Sequence, residues 1–182
     1  MTDHDLDDTR DSAQTQSNSA DLSGVDLSET ELRRVDLSNA SLVGTDLRWA
    51  DLRRADLEDA TLEEANLFKT ALVGAALDEA ALENAALSEA FLTDASLRRA
   101  DLRRADLTDA TLEEADLRGA DLRGATLTAA DLRGANLTGA DLSNADLRWA
   151  NLTQATLEEG DLRGATLSDT TLPDGFERGD YS

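Results

Sequence analysis

The chain has 182 residues, a formal net charge of −22 from 39 acids against 17 bases, and no cysteine. That leaves room for one domain, excludes disulfides and thiolate metal sites, and disfavours direct nucleic-acid binding. No apolar run approaches the ~18 residues of a membrane span, and the opening "MTDHDLDDTRD" is acidic where a secretory signal would be basic, so a cytoplasmic protein with no membrane attachment is expected.

In chain order, residues 1–19 are acidic and polar. They include "DSAQTQSNS" and read as a disordered tail. Its His4 is the single histidine, and its Leu6 is out of register with the leucines further along the chain. From position 22 to position 172 a leucine stands at every fifth residue without exception, 31 in all. Two places before each comes a small residue, usually Ala, and immediately before it usually Asp, Asn, Thr or Ser. The unit A-(D/N/T)-L-x-x spans 20–174. Residues 175–182 form a short tail or cap, in which Phe176 and Tyr181 can cover the last unit, and Pro173 lacks an amide donor where the ladder stops.

A period of five fits neither a helix nor a flat strand. On a helix each step of five lands about 140° from the last, so the leucines would wrap every side and leave no stripe to bury. On a strand an odd step throws successive leucines to opposite faces. A short strand followed by a corner satisfies both constraints. The small residue and the leucine, two apart, then point the same way, and the next two residues turn the chain. Corners of one hand close it into a solenoid with leucine inside.

Units such as "ADLRR", "ANLTG" and "ATLEE" resemble the pentapeptide-repeat family across nearly the whole chain. The resemblance implies an all-β fold, a right-handed quadrilateral β-helix with four units per coil and about eight coils here. It also implies that residues twenty apart are neighbours. By that mapping, Glu58, Asp59, Glu63, Glu64, Asp78, Glu79 and Glu83 fall on two adjacent faces, directly followed on the same faces by Arg98, Arg99, Arg103, Arg104, Arg118 and Arg123. This is a candidate bipolar surface, with salt bridging between coils as the simpler account. Trp49, Phe68 and Trp149 share one face and form a candidate interaction surface. Phe91 is counted with the same candidate interaction surface, and it ends a run, Ala71, Ala76, Ala81, Ala86 and Phe91, in which the residue before leucine is apolar. Asp101, Asp121, Asp141 and Asp161 stack as a column of like charge, which predicts stability rising with salt. The 16 arginines against the lone Lys69 also suit a high-salt cytoplasm.

No catalytic constellation is expected. His4 has no scaffold, the glycines of "DLRGA" sit at corners, and a convex rod offers no water-excluding cleft, so the sequence points to no enzyme, no cofactor and no metal. The expected role is a structural or protein–protein interaction module with an unknown protein partner. The resemblance implies an alternative, a DNA-mimicking protein that binds a type II topoisomerase such as gyrase. The C-terminal coil is a candidate homodimer surface.

Overall fold

The computed structural model describes residues 20–158 and 162–176. The expected N-terminal tail with His4 and Leu6 lies outside the described residues, as do Asp161 and Tyr181.

Each unit makes the same set of bonds. The residue before leucine pairs in parallel with its counterparts twenty residues away, from Asp21 with Ser41 through Asn151 with Thr171. Four units therefore complete one coil, and the coils stack about 4.8 Å apart. The N–H of the next small residue closes a turn on the leucine carbonyl, as in Ala50 N to Leu47 O at 3.0 Å. The second residue after leucine has positive φ in every described unit from Gly24 (67°) to Asp169 (58°), the geometry of a type II turn. Most of these residues are not glycine. Each such left-handed residue costs about 1 kcal/mol, and the ladder holds it by bonding its N–H to the next coil, as Trp49 N to Phe68 O at 3.0 Å.

The inward positions build one continuous core. Leucines from Leu42 through Leu152 are fully buried, with alanines packed between them at the other inward position. A leucine so buried contributes about 1.5–3 kcal/mol, and it does so only because the neighbouring coils supply its walls. Thr45 and Thr70 replace alanine without leaving a buried hydroxyl unpaired. Their Oγ1 atoms donate to the carbonyls of Leu22 at 2.8 Å and Leu47 at 2.7 Å.

One backbone N–H per unit stays outside the ladder, that of the first residue after leucine. Where the residue before leucine is Asp or Asn, its side chain accepts this bond: Ser28 N donates to Asp26 at 3.0 Å, Arg118 N to Asp116 at 3.3 Å, and Thr138 N to Asn136 at 3.1 Å. This local Asx bond is the physical reason that Asp and Asn precede leucine. Much of the chain's acidity is therefore architectural. At the N-terminal end, Leu22, Leu27 and Leu32 are half-buried and Val25 is exposed. At the C-terminal end, Phe176 packs on the core and its N–H donates to Pro173 O at 3.1 Å.

The paired residues after each leucine stack into four corner columns. Column I follows Leu22, Leu42 and onward by twenty; columns II, III and IV start after Leu27, Leu32 and Leu37.

Candidate functional site

Functional side chains on a rod of this kind must stand on the corner columns or beside them, because the inward positions are filled. Trp49, Phe68 and Trp149 all stand on column II. Trp49 and Trp149 are 55% and 56% exposed, five coils or roughly 24 Å apart. Both are held at positive φ (61° and 60°) by the turn, which puts the indole at the corner rather than over the sheet. The two differ in their surroundings. Trp49 meets Phe68 edge to face at 5.8 Å between centroids, and Lys69 Nζ lies over both rings at 4.7 and 5.0 Å. Lys69 is fixed in turn by Glu89 at 3.1 Å. Trp149 has no aromatic neighbour among the described residues and is covered on one side by Arg148, 5.6 Å from its centroid, which Asp146 clamps at 2.6 Å. Phe91, 47% exposed, stands apart from this group, on the side leading into column III between Ala71 and Thr111.

The candidate bipolar surface occupies columns IV and I, and its boundary is zipped. Asp78 receives Arg98, Glu79 pairs with Arg99 at 3.1 Å, and Glu83 holds Arg103 at 2.8 Å and Arg104 at 3.6 Å. Burial alone would raise the Asp78 carboxyl. Bonds from the Arg98 guanidinium, the Ser96 hydroxyl and the Arg98 N–H outweigh it and hold the carboxyl below its ordinary value. Arg118 and Arg123 turn instead to Asp116 and Asp121, at 2.6 and 2.5 Å. Glu58, Asp59, Glu63 and Glu64 meet no cation within 4.0 Å among the described residues, so the acidic half is the less compensated one. The ladder register stacks the two bands on adjoining coils, and ion pairs cross the boundary between them. Open grooves on these columns are lined by Asp78, Glu79, Arg98, Arg99 and Arg118, and by Glu83, Arg103, Arg104, Arg123, Gly124 and Asn144.

The aspartate column is not a bare stack of like charge, which corrects the expectation drawn from it. Arg103 clamps Asp101 at 2.5 Å and stands 3.8 Å from Asp121. Arg123 repeats the arrangement between Asp121 at 2.5 Å and Asp141 at 3.8 Å. A guanidinium stands two places after Asp101 and Asp121, and Asp141, followed by Ser143, is approached by Arg123 of the preceding coil. The column therefore gives no reason of its own for stability to rise with salt. The same Asp-Leu-Arg clamp recurs at Asp46, Asp51, Asp116, Asp131 and Asp146. In each of these aspartates the arginine bond is the chief cause of a lowered carboxyl pKa. Among the described residues no group of three or more acids or histidines is gathered to hold a metal ion, and no helix is long and apolar enough to cross a membrane.

Sequence reasoning passed over one surface, the arginine pairs Arg33–Arg34 and Arg53–Arg54, which line a groove with Val73 on column III. Their spacing of twenty was the available signal.

Against known families, the model for pentapeptide repeats matches in 8 copies, over segments running from 20–59 to 130–169. The match gives the four-sided coil its hand, that of a right-handed β-helix. Among solved structures, the chain is similar to HetL, a pentapeptide repeat protein involved in heterocyst differentiation regulation from the cyanobacterium Nostoc sp. strain PCC 7120. The identity is 33% over 87% of each chain, with a TM-score of 0.46. It is also similar to a pentapeptide repeat protein of the Arabidopsis thaliana thylakoid lumen, at 26% identity over 72% of this chain and 71% of that one, TM-score 0.38. QnrB1, a plasmid-mediated fluoroquinolone resistance protein, aligns at 20% identity over 79% of this chain and 80% of that one, TM-score 0.41. A search of curated proteins finds no match.

Proposed function

Because the chain belongs to the pentapeptide-repeat family, we propose that it works without catalysis, as a stiff rod that docks another protein through column II. The observation that carries this reading is the pair of tryptophans, each more than half exposed and set on one corner column roughly 24 Å apart. Exposed indoles are poorly placed in water and well suited to anchor an interface. The Trp49–Phe68–Lys69 group is already ordered by its own contacts, so docking on it would freeze little side-chain freedom. Trp149, with Arg148 on one side of its ring, offers a second and more open anchor.

The topoisomerase alternative rests on acidity and girth. A mimic of duplex DNA would present negative charge continuously, whereas here arginines are threaded through the aspartates along the rod. The uncompensated acids Glu58, Asp59, Glu63 and Glu64 form a short patch only. The docking-rod reading therefore takes precedence.

The test is affinity capture from the native lysate at the host's own salt concentration, with wild type beside the Trp49→Ala/Trp149→Ala double variant. A partner recovered by wild type and lost by the variant supports the column II interface. Partners retained in full by the variant refute it, and recovery of a type II topoisomerase by both would restore the mimicry reading.

A further inference from the structure

Column III opens with two arginine pairs on consecutive coils, Arg33–Arg34 and Arg53–Arg54, which line one groove closed at its far end by Val73. Asp51, on the strand leading into this corner, is held by both Arg33 and Arg53 at 2.5 Å. Glu31 stands at the rim, 4.0 Å from Arg33. Among the arginines from Arg33 to Arg148, Arg34 and Arg54 meet no carboxylate within 4.0 Å among the described residues. Every other arginine pair on the rod abuts acids in the adjoining coil, as Arg98–Arg99 and Arg103–Arg104 do. The coil beyond Arg53–Arg54 instead supplies Val73 and Gly74, and a Cβ at Gly74 would lie 3.6 Å from Arg54 Cγ, so the arginine stem crosses that glycine. A chain of net charge −22 thus gathers four guanidiniums in one groove, two of them, Arg34 and Arg54, without a carboxylate within 4.0 Å among the described residues, a cationic face complementary to an anionic ligand.

The surroundings select the ligand. An extended polyanion would run onto Glu58 and Asp59 on the next column in the same coils, so the anion must be short. Guanidiniums in pairs take carboxylates by two parallel bonds each. Past Val73 the surface continues to Phe91, one coil on and 47% exposed, so the ligand carries an apolar group beside its acids. We propose that this groove binds a short acidic peptide segment of a partner protein, with carboxylates on Arg34 and Arg54 and an apolar side chain toward Val73 and Phe91. The site goes beyond column II and stands independently of it.

The test uses the full chain and a fluorescein-labelled peptide of four glutamates followed by leucine and phenylalanine, read by fluorescence anisotropy at about 0.15 M salt. Saturable binding is expected, weakened at least about tenfold by Arg34→Glu/Arg54→Glu and unchanged by Trp49→Ala/Trp149→Ala. The arginine variant is expected to fold, because Glu64 and Glu79 occupy the same turn position with φ of 59°, and a thermal melt checks that it does. Absence of saturable binding up to about 1 mM protein, or equal binding by the arginine variant, overturns the proposal. So does stronger competition by inorganic phosphate or a short DNA duplex than by unlabelled peptide, which would assign the groove to phosphate ligands. Trypsin cleavage after Arg10 that accelerates in the arginine variant would place residues 1–19 of this chain in the groove and overturn the partner-protein reading. Failure of the tryptophan variant to lose partners would leave this result untouched.

Discussion

The stretch from Ala71 to Phe91 and the stretch from Asp101 to Arg148 share a core and differ almost completely on the outside. In both, the leucines and inward alanines are buried to the same degree, and the parallel register of twenty continues unbroken. In the second stretch the leucines follow Asp, Asn or Thr, five of the carboxylates are clamped by arginine, and eight of the loose N–H groups find a side-chain acceptor. In the first, every residue before leucine is Ala or Phe, and that acceptor is missing. The coil forms regardless. The fold is therefore carried by the inward positions and the turn, while the residue before leucine adjusts stability and charge.

That separation can be attacked from its strongest side first. Leu77→Ala in the first stretch and Leu117→Ala in the second should each lower stability by about 2–5 kcal/mol, with the two agreeing to within about 1 kcal/mol. Denaturant melts check this, and a much smaller loss at Leu77 would mean that the core is not continuous. Acid separates the stretches next. The bonds from Arg118, Arg123 and Arg133 keep Asp116, Asp121 and Asp131 below the usual carboxylate range, so their contribution is complete above the unfolded value of about 4 and disappears as pH falls through the lower folded values. Stability against pH should stay level down to about pH 4 and decline below it. Asn at these three positions should flatten the acid limb.

Smaller effects probe the Asx bond itself. Asp116→Ala removes both the acceptor for Arg118 N–H and the arginine clamp, and should cost about 1 kcal/mol, since the pair is partly exposed. Ala86→Asn should supply the missing acceptor to Ser88 N–H and gain about 0.5–1 kcal/mol by thermal melting. Loss on installing the amide would show that the bond is not what favours Asp and Asn before leucine. The smallest expected change concerns the turn, which is common to the whole rod. Asp94→Gly, just past the first stretch, and Ala129→Gly, in the second, stand at φ of 58° and 57° and should each stabilise by about 0.5 kcal/mol in thermal melts.

The two candidate surfaces also differ in what they ask of the solvent. Docking on column II, as proposed, would rest on indole rings and should tolerate high salt, whereas binding in the Arg34–Arg54 groove would be electrostatic and should weaken as salt rises. A protein adapted to concentrated salt would rely on the first more than on the second.

Much of this molecule was legible from spacing. Thirty-one leucines at five-residue intervals, each with a small residue two places ahead, required a strand-and-corner unit and a leucine-filled solenoid, because no helix or flat strand could bury them all. The placement of Trp49 and Trp149 on one column followed once the register was twenty. The charges were different. Asp101, Asp121 and Asp141 looked like mutual repulsion in the sequence and are joined by Arg103 and Arg123 in the structure. The sequence by itself determined the five-residue side of the coil, since a buried leucine must recur once on each side that it fills. Only the tertiary structure decided which acid each arginine meets. A long guanidinium side chain can reach a carboxylate two residues away or twenty, and the neighbours at each corner decide which, with Arg34 and Arg54 meeting none within 4.0 Å among the described residues.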